Sequence, residues 1–290
     1  MSGAERPPGR MLRVGGVPLH VLREGKGPVC VLSAGLGMGW FDWDPLVPLL
    51  APYRTVVRFD RPGLGFSASS PEPPTASGEA GRIAGVLDAL DLAGPVTVVG
   101  HSLAGFHAEA FARLYPERTA GLVLVDGSVE EDARPAPGRE LRTAAARLRG
   151  LAFAGAGLPR ALGPALRRLS VRAASVKRQD PAPAELVRRT YGTARVARAV
   201  LMENARYRDV AAELEELRTH HSLPPVPVTV LAASPGSGSW LERRWLQRQR
   251  ALADRLDGRF EAVAPAGHLL MYDRPQAIAA AVLATPFIRA

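Results

Sequence analysis

A chain of 290 residues, 47% of them apolar, has the core for one large α/β domain or for a core domain carrying an insertion. Its single cysteine, Cys30, excludes an intramolecular disulfide and points to a reducing compartment; in the run Val29-Cys30-Val31-Leu32 it is expected in the core. The net charge of +9 does not read as a nucleic-acid footprint, because nearly all of the basic residues are arginine, with Lys26 and Lys177 the only lysines.

Residues 1–10 are polar and proline-bearing, without the apolar stretch of a signal peptide, and read as a disordered tail. Met11–Arg13 and Leu19–Leu22, around Gly15-Gly16, predict an antiparallel hairpin. Further strands are predicted at Val29–Leu32, Thr55–Phe59, Val96–Val99, Leu122–Val125, Val226–Leu231 and Phe260–Val263. Between them Ile83, Val86, Leu87 and Leu90 repeat at helical spacing, and Leu103–Tyr115 is apolar enough for a buried helix. Strand and helix alternating in this way predict a mostly parallel sheet covered on both faces. One interval, Gly127–Leu223, breaks the rhythm with helical stretches at Glu140–Leu148, Glu185–Met202 and Val210–Leu217. It reads as a helical cap over the C-terminal edge of the sheet: core at 11–127 and 223–290, cap at 128–222.

Charge follows the same division. Arg139–Arg208 holds about 16 basic and 4 acidic residues, an excess larger than that of the whole chain, so the remainder is slightly acidic. The preferred reading is a solvated arginine-rich helical face, with attraction of an acidic substrate or of an anionic membrane surface as the lesser alternatives. No apolar run is long enough to cross a bilayer, and Ala277–Leu283 is a terminal amphipathic helix at most, so a cytoplasmic protein is expected.

The densest signal is Val98-Val99-Gly100-His101-Ser102-Leu103-Ala104-Gly105. A β-branched strand ends at a glycine, a serine follows one residue later, and small residues open a helix. Such a turn holds the serine on strained backbone and aims the first helical amides at whatever it attacks. Two glycine-rich loops are expected at the same edge. Ser33-Ala34-Gly35-Leu36-Gly37-Met38-Gly39 is neither a dinucleotide fingerprint nor a Walker loop. Its glycines would let backbone approach a ligand, and its Leu36 amide, with that of Leu103, suits an oxyanion. Asp60-Arg61-Pro62-Gly63-Leu64-Gly65 is a tight turn that Asp60 and Arg61 are expected to lock.

The elbow at Gly100–Gly105, the Asp60–Gly65 loop and Gly267-His268 together resemble the α/β-hydrolase superfamily, over nearly the whole chain and least in the cap. The resemblance implies an eight-stranded sheet, a triad in the order serine, acid, histidine, and no cofactor. His268, after the last strand, lies where the superfamily places its base. His20 falls on the hairpin, His107 on the buried helix and His220-His221 at the end of the cap, and His101 is expected to point away from the serine; no metal site is expected. The acid departs from the common pattern: the loop after the seventh strand, Ala232–Ser239, has no carboxylate before Glu242. A minority of the superfamily carries the acid after strand six, where this chain has Asp126. A helix cap or turn role for Asp126 is the alternative, and Glu130 and Glu131 are weaker candidates.

The expected chemistry is acyl transfer from an ester, thioester or lactone. Ser102 would be the nucleophile, His268 the base, Asp126 the orienter, and the Leu36 and Leu103 amides the oxyanion hole. Trp40, Phe41 and Leu269 are expected in a largely apolar pocket for a small acyl substrate. Carbon–carbon bond hydrolases and cofactor-free haloperoxidases share the elbow, and a ligand-binding protein without turnover stays open because the usual acid position is empty.

Overall fold

A computed structural model describes residues 7–286. In chain order the elements are β1 (Arg10–Val14), β2 (Val17–Glu24), β3 (Val29–Ser33), α1 (Val47–Leu50), β4 (Thr55–Phe59), α2 (Ala76–Asp88), β5 (Val96–His101), α3 (Ala104–Leu114) and β6 (Thr119–Val125). They continue with α4 (Arg139–Gly155), α5 (Leu158–Ala174), α6 (Ala184–Tyr191), α7 (Ala194–His220), β7 (Val228–Ala233), α8 (Trp240–Arg255), β8 (Arg259–Val263), α9 (Leu270–Asp273) and α10 (Pro275–Leu283). Of the expected tail, residues 1–6 lie outside the described residues. Residues 7–10 are not a loose tail: Arg10 opens β1, and the Pro8 carbonyl accepts a hydrogen bond from His20 Nε2 at 2.7 Å.

The strands form one eight-stranded sheet in the order β1-β2-β4-β3-β5-β6-β7-β8. β1 and β2 are antiparallel to each other, β2 is antiparallel to β4, and the remaining pairs are parallel. Because strand side chains alternate, successive residues of one strand feed two separate cores. Val31, Val98 and Leu122 point into the core made with α2, α3 and α8. Leu32, Val99 and Val123 point into the one made with α1, α9 and α10. Both faces are therefore apolar, and each fully buried valine or leucine contributes roughly 1.5–3 kcal/mol. Cys30 is completely buried here, and burial pushes its thiol up to about 12.

The helices α4 to α7 occupy the interval between β6 and β7 as an insertion. The stretch expected as one helix over Glu185–Met202 is broken at Gly192 and Thr193. A Cβ on Gly192 would lie 2.4 Å from the Arg188 carbonyl oxygen, and the Thr193 side chain caps the next helix by accepting from the Val196 amide. That helix, α7, then runs 27 residues and absorbs Val210–Leu217. Neither α5 nor α8 is among the predicted elements. Pro159 and Pro164 interrupt the sequence pattern of α5, and arginines dominate that of α8.

Candidate active site

The register of the parallel strands brings the central residues together. His101 ends β5 opposite Val125, which ends β6 opposite Leu231 of β7. Ser102 and Asp126 are therefore the first residues beyond adjacent strands. Both stand in the left-handed region, at φ +53° and +44°, and both are tied back to the neighbouring strand: the Ser102 amide donates to Val125 O at 3.2 Å, that of Asp126 to Leu231 O at 2.7 Å. Non-glycine residues rarely occupy this conformation, and such strain concentrates at functional positions. Gly100 is required by close approach, since a Cβ there would lie 2.3 Å from the Ala104 carbonyl oxygen.

His268 follows β8 on a loop that packs under α5. A Cβ on Gly267 would lie 2.5 Å from the Ala174 carbonyl oxygen, and the Leu269 amide donates to that same oxygen at 3.1 Å. The loop carries the His268 imidazole to Asp126, with Nδ1 and Oδ2 2.6 Å apart. The other carboxylate oxygen of Asp126 accepts from the Ala233 amide and from Trp245 Nε1, each at 2.8 Å. These three contacts fix the orientation of the carboxylate. Asp126 is buried, whereas His268 keeps 41% of its side chain accessible. Trp245 is the residue that sequence reasoning missed. It lies on α8, 119 positions from Asp126, and no local signal marks it.

The usual acid loop has another occupant. Glu242 accepts hydrogen bonds from the Ser234 and Ser237 hydroxyls and from the Gly236 and Gly238 amides. These bonds hold its carboxyl down to about 2. Its oxygens are spent on organising the loop. Glu130 and Glu131 lie beyond Val129, and Glu131 pairs with Arg248.

His101 departs from expectation. Its ring lies against that of His268, with centroids 4.7 Å apart, and its Nε2 donates to the His268 carbonyl at 2.9 Å. The proton on Nε2 leaves Nδ1 as a buried lone pair without a partner among the described residues. Burial, and then the adjacent His268, lower its pKa well below the ordinary histidine value, so His101 is neutral.

The glycine-rich loop after β3 is held from two sides. Arg61 donates to the Ala34 and Gly35 carbonyls and, through Nε, to Glu203 Oε1 of α7 at 2.7 Å. Glu203 Oε2 accepts from the Gly37 amide at 2.7 Å, and the Tyr191 hydroxyl of α6 donates to the Gly37 carbonyl at 2.9 Å. The glycines therefore serve internal packing: a Cβ on Gly37 would meet Val200 at 2.9 Å, and one on Gly35 would meet the His101 ring at 2.7 Å. No hydrogen bond within the described residues takes up the Leu36 or Leu103 amide. Asp60 does lock its turn, accepting from the Trp40 and Phe66 amides and facing His20 Nδ1.

Ser102, His101 and His268 line a cavity of about 600 Å³ between the sheet edge and the inserted helices. Its walls are mainly apolar, with Leu36, Met38 and Leu269 below and Leu158, Leu162 and Val200 above. Trp40 and Phe41 do not line it. They form a separate buried cluster with Leu22, where Trp40 meets the Arg58 guanidinium and Phe41 that of Arg167. Both are drawn inward because the turn that carries them is pinned by Asp42 and Asp60. Among the described residues the one Lys or Arg lining the cavity, Arg167, is paired with Asp42 and Asp180 and hydrogen-bonded to the Tyr272 hydroxyl.

An eight-stranded mostly parallel sheet of this order, with an inserted helical layer and a serine on a strained strand-to-helix turn, defines the α/β-hydrolase class. The description "Alpha/beta hydrolase family" matches residues 30–281, and the chain belongs to that family. A 2-hydroxy-6-oxo-2,4-heptadienoate hydrolase of Pseudomonas putida is 35% identical over 130 residues, 43% of this chain and 46% of that protein. A pimeloyl-acyl-carrier protein methyl ester esterase of Methylococcus capsulatus is 36% identical over 127 residues, 43% of this chain and 47% of that protein. The chain spans about half the length of the curated relatives it matches. Among solved structures, Cfl2 of Burkholderia cenocepacia superposes with a TM-score of 0.74 at 24% identity, covering 93% of this chain and 92% of that one. The enol-lactonase of Burkholderia xenovorans LB400 gives 0.65 at 23%, covering 94% and 98%. These likenesses establish the fold.

Proposed function

We propose that this protein is a serine hydrolase of neutral, apolar acyl substrates (esters, thioesters or lactones) acting through an acyl-enzyme. The observation that carries the reading is the 2.6 Å contact of His268 Nδ1 with a buried Asp126, at the edge of an apolar cavity that also holds Ser102. With Nδ1–H held by the carboxylate, His268 Nε2 is left as the basic nitrogen. It takes the proton of Ser102 Oγ as that oxygen attacks the acyl carbon. Asp126 keeps the tautomer and stabilises the imidazolium that forms. The Leu36 and Leu103 amides donate to the developing oxyanion, the leaving alcohol or thiol receives the proton from His268, and water repeats the sequence to free the acid.

A neutral substrate follows from the lining. Arg167 is already neutralised by Asp42 and Asp180, so no unpaired Lys or Arg among the described lining residues awaits a substrate carboxylate. This weighs against an acidic dienoate as substrate, such as the 2-hydroxy-6-oxo-2,4-heptadienoate in the name of the Pseudomonas putida relative.

The test is a fluorophosphonate label together with a series of p-nitrophenyl esters. Wild type should label and turn over apolar acyl chains in preference to acetate, and Ser102→Ala should do neither. An unlabelled wild type that binds esters saturably without turnover would identify a receptor instead.

A further inference from the structure

We propose that the outer face of α4 and α5 docks on the surface of an anionic lipid bilayer, setting the mouth of the serine cavity against the lipid. Of the fourteen exposed large hydrophobic residues among those described, eight lie between Leu141 and Leu169, on these two helices and nowhere else between them. On α5 they recur as Leu158, Leu162, Leu166 and Leu169, spacings of four, four and three that place them along one side of the helix. Single exposed leucines are ordinary, but an apolar stripe of this length on a surface helix marks a contact.

The charge around the stripe identifies the partner. Arg147, Arg149, Arg160, Arg168 and Arg172 are exposed on the same two helices, and none forms an ion pair with a carboxylate among the described residues. Glu140 is the only carboxylate in either helix. Leucines ringed by unpaired arginines suit an interface where alkyl chains lie below phosphates: the apolar side sinks among the acyl chains while guanidiniums meet the headgroups. A second copy of this chain would bring the same arginines face to face across a two-fold axis, which repels. Water leaves the leucines without a partner.

The stripe is also continuous with the cavity. Leu158, Leu162 and Leu166 are both exposed on the outside and part of the wall above Ser102, and Phe153 of α4 joins them at the rim. A bilayer held there would cover the opening, so an apolar molecule dissolved in lipid reaches the cavity without crossing water. This inference goes beyond the hydrolase reading and does not depend on turnover.

Vesicle flotation tests it with the full chain and no substrate. Binding is expected to vesicles of phosphatidylcholine with phosphatidylglycerol and not to phosphatidylcholine alone, and it should be lost in about 1 M NaCl, where screening is nearly complete within about 3 Å. Arg168→Glu with Arg172→Glu should weaken binding by roughly tenfold or more, and Leu148→Ser with Leu169→Ser should weaken it at low salt, where the wild type binds. None of these four residues lines the cavity, so turnover of a soluble p-nitrophenyl ester should be unchanged in both variants. The proposal is overturned by equal binding to both vesicle types, by no binding to either, or by a dimer in light scattering that Leu148→Ser with Leu169→Ser dissolves. A failed fluorophosphonate label would sink the hydrolase reading and leave the vesicle result standing.

Discussion

Asp126 reaches His268 because one residue past β6 takes a left-handed conformation, and the consequence is a carboxylate with every oxygen occupied. Asp126→Asn keeps the shape but offers His268 an amide, favouring the wrong tautomer. In a proposed triad of this kind kcat should fall by roughly 10⁴ with the fold intact by circular dichroism. Trp245→Phe removes one donor from the same carboxylate. The bond joins a charged acceptor to a half-exposed ring, so stability in urea should drop by about 1.5 kcal/mol, the low end for charged hydrogen bonds. If the indole positions the carboxylate for catalysis, kcat should fall by roughly tenfold with KM unchanged, since about 1.36 kcal/mol corresponds to one decade of rate. An unchanged kcat would limit Trp245 to a structural part. Ser102 was legible from a local pattern, a serine between small residues just past an apolar strand, whereas Asp126 and His268 were legible as candidates through the resemblance to the α/β-hydrolases. Trp245 was not, because its distance from Asp126 is set by how α8 lies on the sheet.

Between elements, the most consequential tie is that of the inserted helices to the glycine-rich loop. Both backbone polar groups of Gly37 are held by the insertion, one by Glu203 of α7 and one by Tyr191 of α6, while Arg61 bridges Glu203 to the loop carbonyls. Glu203→Ala removes a buried partner from a buried guanidinium, and unfolding in urea should show a loss of about 3–5 kcal/mol. The same change frees the Gly37 amide beside Leu36. On the oxyanion reading, kcat should fall further than in Tyr191→Phe, which breaks only the carbonyl bond. Equal kcat in Glu203→Ala and wild type would detach the insertion from the chemistry. The sequence pattern separates the strands well, since each central strand is a continuous apolar, β-branched run buried on both faces. It misjudges the insertion, where the extended, capping Thr193 splits an expected single helix after Gly192 and where prolines blur the period of α5.

At the scale of the molecule, the loop after β7 shows how the charge distribution is managed. Glu242 has a folded pKa of about 2 against an ordinary 4.5, because two hydroxyls and two amides bind its charged form. A depressed carboxylate stabilises the fold above its unfolded value and loses that stabilisation as pH falls through the folded one. The melting deficit of Glu242→Gln relative to wild type should therefore be greatest above pH 4.5 and vanish as pH approaches 2, followed by thermal scans across that range. A deficit independent of pH would mean that the loop relies on the shape of Glu242 and not on its charge. The sequence by itself determined the apolar strand runs, the strained serine turn and the absence of a carboxylate from Ala232–Ser239, because strand hydrophobicity, glycine placement and residue type are local properties of a chain. Only the tertiary structure decided that Asp126 meets His268, that Trp40 and Phe41 turn away from the cavity, and that the arginine-rich helices keep a row of leucines in the open. Each of those depends on which distant segments pack together, and that follows from strand register and helix docking.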